Sequence, residues 1–194
     1  MAEVAVLIVK TGFAVVLIAL AARIMAQIAQ ANAYSPMADT VRKITDPFVG
    51  PFIRIVPRVG GLDVASLLVM WILQVVMVLI LVSLIPRFSA DLSTVIVGAA
   101  FASIGLILEV TRWSMIIVAI GSWISQGGNP LLSFLSEIIE PVVAPFRKLN
   151  LQVGVMDLSY LLAFLALYIV HGILRAIAYG VVPMGPIRIA FLGV

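Results

Sequence analysis

Long apolar runs make up most of the chain, and short segments that hold charged and turn-forming residues separate them. A helix needs about 20 apolar residues to cross a bilayer core, because in lipid the backbone must hydrogen-bond to itself. Four runs meet this requirement, over residues 4–28, 64–85, 92–124 and 158–182. The third is longer than one crossing requires, so we expect it to be tilted or broken. The pattern therefore predicts four membrane-spanning helices.

An internal repeat with an offset of 94 residues organises the chain. The matched pairs are Pro36 and Pro130, Asp46 and Glu140, Pro47 and Pro141, Pro51 and Pro145, Phe52 and Phe146, Arg54 and Lys148, and Asp63 and Asp157. Each unit contains two spans, so both units enter the membrane in the same direction, related by a pseudo-two-fold axis along the membrane normal. We therefore expect two parallel tandem units, residues 1–90 and 91–194.

Each unit also contains a segment between its spans that is too short to cross a bilayer. A capping side chain and a proline open both segments, at Ser35-Pro36 and Asn129-Pro130. Apolar residues then recur at the spacing of one helical face, at positions 37, 41, 44 and 48 and at 131, 135, 138 and 142. Pro47 and Pro141 are predicted to end these helices. We expect amphipathic helices over 36–46 and 130–140, lying in the membrane interface.

The composition indicates a membrane protein rather than a soluble one. Of the 194 residues, 63% are hydrophobic and 11% are charged, whereas about a quarter of the residues in a soluble domain are charged. The net charge is only +3 and no basic run is longer than two residues, so we expect no nucleic-acid partner. The predicted class is therefore an all-α membrane protein with about four transmembrane helices in two parallel tandem repeats, each with a short interfacial amphipathic helix.

No enzyme or cofactor motif stands out in the sequence. The chain has no cysteine, which excludes disulfides, thiolate metal sites and a cysteine nucleophile. It has no phosphate-binding glycine loop and no His/Glu pair at zinc spacing. His171 is the single histidine and would need a methionine as second axial ligand to hold haem. We therefore expect no catalytic activity, no cofactor and no metal.

The doubled motif resembles that of the YggT family. In each unit an acidic residue, a Pro-x-x-x-Pro-Phe sequence, a base, a glycine and an aspartate precede the second span. The motif residues are Pro47, Pro51, Phe52 and Arg54 in unit one and Pro141, Pro145, Phe146, Arg147 and Lys148 in unit two. Unit one departs from the common pair of bases, because Ile53 precedes Arg54. The two units are therefore not expected to carry equivalent basic pairs.

The resemblance implies a location and a range of roles. Members of this family are small bacterial membrane proteins with relatives in plastids. Bacterial members have been linked to osmotic tolerance and potassium uptake, and plastid relatives to cytochrome assembly and thylakoid organisation. The resemblance therefore implies a multi-pass protein of the bacterial cytoplasmic (inner) membrane.

Bases in the short loops predict the orientation. The loops after the first and third spans contain a modest excess of them, namely Arg42, Lys43, Arg54, Arg58, Arg147 and Lys148. We expect both amphipathic segments on the cytoplasmic side, where they contact the bilayer and its anionic lipid headgroups.

Polar side chains within the spans are candidate functional groups, because an unpaired charge there is costly. Glu109 and Arg112 are three residues apart on one helix, so they can pair, either for a function or simply to neutralise each other. His171 and Arg175 are four residues apart and could relay protons or bind an anionic headgroup; alternatively, His171 is a hydrogen-bonded core residue. Gln74 is a further polar candidate, in a span without charges.

Asp63 and Asp157 directly precede the second span of each unit, after a glycine-containing turn. A carboxylate there can cap free N–H groups at the positive end of the helix dipole. Alternatively, the two carboxylates form a cation-binding pair near the pseudo-two-fold axis, with Arg54 and the Arg147-Lys148 pair competing for them. The sequence leaves both interpretations open.

Two classes of function follow from these features. The first is a non-enzymatic envelope organiser or assembly factor, which associates with other membrane proteins or with copies of itself. Gly98, Ala102 and Gly105 support it, because they form a small-residue face suited to close helix packing. The second is a potassium or other ion pathway, or its regulator; four spans scarcely enclose a hydrated route, so this function requires an oligomer. We favour the organiser, with a link to osmotic stress tolerance.

Overall fold

A computed structural model describes residues 2–57, 61, 63–85, 91–124, 128–149, 152–153, 156–182 and 190–193. Within these ranges the regular secondary structure is helical apart from a pair of two-residue antiparallel strands. The elements are α1 (Ala2–Ile28), α2 (Pro36–Ile53), α3 (Val64–Leu84), α4 (Leu92–Ile124), α5 (Pro130–Arg147), β1 (Gln152–Val153), β2 (Met156–Asp157) and α6 (Ser159–Val181). Arg58, one of the bases used to predict the orientation, lies outside the described residues.

The four predicted spans correspond to α1, α3, α4 and α6. Each of these helices is long and apolar enough to cross a membrane. The third predicted span is the single helix α4, which runs from Leu92 to Ile124 without a break. The predicted class of an all-α membrane protein with four spanning helices is confirmed.

The prediction that Pro47 and Pro141 end the two short helices is wrong. α2 continues to Ile53 and α5 to Arg147, each through two internal prolines. A proline inside a helix lacks an N–H and so frees the carbonyl four residues earlier, on its own side of the helix. In α2 both prolines, Pro47 and Pro51, are exposed. The missing hydrogen bonds therefore lie on the outer side, and the inner side of α2 keeps its backbone bonds.

Both short helices begin where the sequence predicts. Ser35 Oγ accepts a hydrogen bond from Ala38 N at 3.1 Å, and Asn129 Oδ1 accepts one from Leu131 N at 2.9 Å. In α5, two of the four predicted apolar positions, 135 and 138, are buried. In α2 the buried positions are 38, 45 and 49 instead of 37, 44 and 48. The side of α2 that packs against the rest of the protein is therefore offset by about one residue from the predicted apolar face.

Two apolar clusters form the interior. The first joins α1, α3 and α4, and Leu17, Met77 and Ala99 are fully buried in it. The second surrounds α5, whose Ile138 and Ile139 are fully buried beside residues of α1, α4 and α6. Residues 190–193, which follow α6, also enter the first cluster, since Phe191 is buried there. This short C-terminal segment is therefore part of the core.

Candidate functional site

The polar residues Gln74 and His171 hold the C-terminal segment inside the bundle. Gln74 Nε2 donates to the Leu192 carbonyl at 2.9 Å. His171 Nε2 lies 2.9 Å from the Gly193 carbonyl, and both side chains are buried. The hydrogen-bonded core interpretation of His171 agrees with this geometry, and Gln74 is used in the same way.

The two glycines of the small-residue face of α4 lie against this segment. A Cβ atom at Gly105 would lie 2.0 Å from the Gly193 carbonyl oxygen, and one at Gly98 would lie 2.7 Å from the Phe191 ring. Gly193 itself has φ +97°, a conformation that favours glycine, and it lies against the backbone of Ala102 and Leu106. The close approach is therefore one between α4 and an irregular segment, which the sequence pattern did not reveal.

Arg175 lies one helical turn beyond His171, in the second half of α6. Its Nε atom is buried and has no hydrogen-bond partner among the described residues. His171 bonds to Gly193. The relay that the spacing of these two residues suggested is therefore not built by any described hydrogen bond.

Glu109 and Arg112 form an ion pair on the outer side of the bundle. Arg112 Nη2 lies 3.8 Å from Glu109 Oε1, and the two side chains are 18% and 30% exposed, respectively. The guanidinium also lies 6.0 Å from the centre of the Tyr168 ring on α6. Glu109 is one residue past the middle of α4, so the pair lies in the central part of this helix. The sequence indicated the pair, but it did not indicate that the Tyr168 ring lies against Arg112.

Arg23 of α1 contacts both α2 and the N-cap residue of α3 in unit one. Its Nη1 atom donates to Asp46 Oδ1 at 2.5 Å and to Thr45 Oγ1 at 2.7 Å, both on α2. Its Nη2 atom lies 3.7 Å from Asp63 Oδ2. The sequence analysis left Arg23 out of the candidate residues. The available signal was the acidic residue that precedes the repeated proline in both units, because a carboxylate attracts a nearby base.

Arg147 has the corresponding role in unit two. It donates to both carboxylate oxygens of Glu140, the repeat partner of Asp46, at 2.7 and 2.8 Å. It also donates to the Tyr160 hydroxyl at 2.9 Å and lies over that ring. Partial burial alone would lower the pKa of Arg147, but Tyr160 and Glu140 raise it above its usual value, so the group stays charged. In both units an arginine thus joins the acidic-Pro motif to the start of the following span.

Asp63 caps α3, and Arg23 rather than Arg54 pairs with it. Its Oδ1 accepts from Ala65 N at 3.1 Å and its Oδ2 from Ser66 Oγ at 3.0 Å. In unit two, Leu158 occupies the N-cap position of α6, without a side-chain cap. Asp157 lies one residue earlier, at the end of β2, and its side chain is outside the described residues.

Substitution of Asp63 separates capping from charge. We expect Asp63→Asn to retain the cap and to cost less than about 1 kcal/mol, because Asn and Asp cap about equally well. Asp63→Leu should cost about 2 kcal/mol, since it removes the cap and leaves N–H groups unpaired. Thermal unfolding in detergent measures both, and Asp46→Asn, which removes an exposed carboxylate from the same arginine, is the control. Equal losses for Asn and Leu would mean that the charge, not the cap, is what matters.

These features define a multi-pass α-helical membrane protein that consists of two tandem units, each with two spanning helices around a shorter proline-containing helix. The chain belongs to the CCB3/YggT family, which matches residues 2–85 and again residues 86–178. The resemblance indicated by the doubled motif is confirmed.

Relatives in several bacteria resemble the chain over most of its length. An uncharacterized protein YggT from Escherichia coli (strain K12) is 32% identical over 149 residues, which is 77% of each chain. An uncharacterized protein PA0392 from Pseudomonas aeruginosa is 33% identical over 86% of this chain and 85% of its own. An uncharacterized protein in the proC 3' region of Vibrio alginolyticus is 32% identical over 82% and 87%, respectively. No solved structure matches the chain at a significant level.

Proposed function

We propose that the protein is a non-enzymatic organiser or assembly factor of the bacterial inner membrane, linked to osmotic stress tolerance, that binds other membrane proteins within the bilayer. One observation carries this proposal: the Glu109–Arg112 pair lies at the centre of α4 and remains partly exposed on the outer side of the bundle. Charged groups in a span are costly unless they are paired or covered. A partner that covers the pair would lower that cost.

The surroundings of the pair support lateral binding. Tyr168 is 61% exposed beside Arg112, and its hydroxyl has no hydrogen-bond partner in the described part of the chain. Trp113, the residue after Arg112, is also exposed. Polar groups without partners in hydrocarbon favour association with another helix that supplies them. We name this outer surface of α4 and α6 the lateral face; it comprises Glu109, Arg112, Trp113 and Tyr168.

The interior favours an organiser over a transporter. Gln74 was one reason to consider an ion route and His171 was a candidate for a proton relay, but both side chains bond to backbone carbonyls of residues 192–193. They therefore stabilise the packed core. In this proposal α2 and α5 lie at the membrane interface and contact lipid headgroups, and the lateral face binds the protein partner.

The alternative is an ion pathway, for potassium or another ion, in an oligomer assembled through the lateral face. The same observation favours it, because charges contributed by several copies could surround a hydrated route. An organiser needs no such route. Measurement of ion flux separates the two functions.

Photo-crosslinking from the lateral face tests the proposal. A photoreactive residue in place of Trp113 is expected to link the protein to a membrane-protein partner in cells. The same residue in place of Ile8, which is at least as exposed as Trp113 but lies on α1, should give little of that product. Introducing Glu109→Leu and Arg112→Leu together should abolish the product from position 113. Reconstituted protein should show no potassium flux in liposomes.

The outcomes distinguish the two functions. A product from position 113 that contains only copies of this chain, together with potassium flux, would replace the organiser by the ion pathway. Equal products from positions 8 and 113 would contradict a specific lateral face.

A further inference from the structure

A cavity of about 510 Å³ lies where α1, α2, the turn before α3 and α5 meet. Its polar lining comprises Arg23, Gln27, Gln30, Arg42 and Asp63. Its apolar walls include Val41 and Phe134, and its volume is in the range of small-molecule sites. None of the four residues of the lateral face lines the cavity, so a ligand bound there is independent of the proposed partner binding.

Asp63 is the one carboxylate among the described residues that line this cavity, and its oxygens already have partners. Asp63 accepts hydrogen bonds from Ala65 N and Ser66 Oγ, and Arg23 lies close to it. Only 5% of Asp63 is exposed. A cation that entered the cavity would therefore find no free carboxylate among the described residues.

Hydrogen-bond donors, in contrast, remain available. Arg42 donates through Nη2 to the Ala33 carbonyl and forms no ion pair in the described part of the chain. Gln27 uses its side-chain oxygen to accept from Asp63 N at 3.0 Å, which leaves its NH₂ group for another partner. A guanidinium with four further N–H groups and a free amide, both in the lining of one cavity, make up a donor set that can bind an oxyanion such as phosphate.

We propose that this cavity binds a phosphate ester, with Arg42 as the principal charged ligand and the amide of Gln27 beside it. The phosphate belongs either to a phospholipid headgroup or to a soluble compound, and both present the same oxygens. Arg23, held by Asp46 and Asp63, fixes the wall of the cavity and contributes less net charge.

The site belongs to unit one. At the offset of 94 residues, Arg23, Gln27 and Arg42 match Ile117, Gly121 and Ser136. None of these three has a guanidinium or amide side chain. The donor side chains of the cavity are therefore specific to the first unit, and one site per chain is expected.

Lys43 offers a matched control for Arg42. It is the next residue on α2, has the same charge, and lies outside the cavity lining. Its ammonium bonds to Asp39 at 2.7 Å and is 76% exposed. That hydrogen bond lowers the pKa of Asp39, so the pair stays ionised at neutral pH. Lys43→Gln and Arg42→Gln therefore remove the same charge from neighbouring positions, one outside the cavity and one within it.

Binding to the purified full chain tests the site in two arms. In the lipid arm, native mass spectrometry compares phosphatidylglycerol with diacylglycerol that has the same acyl chains. In the soluble arm, calorimetry follows inorganic phosphate and glycerol 3-phosphate. One phosphate-bearing ligand is expected to saturate at one per chain, with its affinity lowered at least tenfold by Arg42→Gln and unchanged by Lys43→Gln. Ala33→Trp, which places bulk at the cavity without changing charge, should also block it.

The two arms identify the source of the phosphate. Saturation by phosphatidylglycerol alone assigns the site to a lipid headgroup, and saturation by glycerol 3-phosphate assigns it to a soluble ligand. Equal losses of affinity in Arg42→Gln and Lys43→Gln would show that surface charge alone causes the binding, and this would overturn the proposal. Absence of binding in both arms, with unfolding temperatures unchanged by the variants, would overturn it as well.

Discussion

Replacing Gly105 by alanine is expected to lower the free energy of unfolding by about 2–4 kcal/mol, because it expels the C-terminal segment from the bundle and leaves Gln74 and His171 without their partners. The added Cβ atom would lie 2.0 Å from the Gly193 carbonyl oxygen, which is backbone and has no side-chain freedom to move away. Displacement of Gly193 would then break the hydrogen bonds of both polar side chains.

Gly172→Ala is the matched control for this substitution. Gly172 is also a helical glycine, and a Cβ atom there would meet no atom within 4 Å. Both changes improve helix propensity by about 1 kcal/mol. A lower free energy of unfolding in Gly105→Ala alone would therefore come from the lost packing of residues 190–193 against α4. Titration with a denaturing detergent measures the two free energies of unfolding.

Chemical labelling provides a second readout. The chain has no cysteine, so Phe191→Cys introduces a single thiol. That position is buried at 4% exposure and should react slowly with a maleimide. In combination with Gly105→Ala it should react rapidly. Similar stability and similar labelling in the Gly105 and Gly172 variants would show that the segment contributes nothing to the fold.

Replacing Arg112 alone by leucine should destabilise the protein by about 3 kcal/mol, because it leaves the Glu109 carboxylate without its partner in the middle of a span. Replacing Glu109 and Arg112 together by leucine should restore most of that loss. Breaking an ion pair in a poorly hydrated place strands a charge, whereas removing both charges does not.

Unfolding and crosslinking of the same variants distinguish mutual neutralisation from a role in association. The double variant is expected to be about as stable as the parent while it loses the crosslinked product from position 113. A double variant as unstable as the single one would mean that the pair contributes to the fold beyond neutralisation. Full crosslinking by the double variant would assign partner binding to other residues.

The sequence predicted the spans well because their cause is local. Twenty or more apolar residues in succession leave a helix across the bilayer as the one stable outcome, so Val64–Leu84 could be located from composition alone. The caps at Ser35 and Asn129 were equally local. The ends of α2 and α5, in contrast, could not be predicted from local sequence. A proline stops a helix only where the carbonyl that it frees finds no other partner. Whether it finds one depends on the outward orientation of Pro47, which is a property of the tertiary structure.

The polar sites likewise divide into those set by local sequence and those set by tertiary contacts. Glu109 and Arg112 are neighbours on one helix, so their spacing was sufficient to predict the pair. Arg23 and Asp46 come from different helices, 23 residues apart, and Gln74 and Leu192 are 118 residues apart. No periodicity in the sequence reports contacts of that kind. The cavity beside Arg42 was hidden for the same reason, because four separate segments enclose it.

The internal position of residues 190–193 also constrains how the protein is made. Synthesis proceeds from the N-terminus, so α3, α4 and α6 are made before this segment, and an interval precedes its packing into the core. During that interval Gln74 and His171 lie among apolar side chains without the carbonyls that later satisfy them. A bundle in which these two side chains lack their partners therefore precedes the completed core, and the non-helical segment has to pack among helices that are made before it.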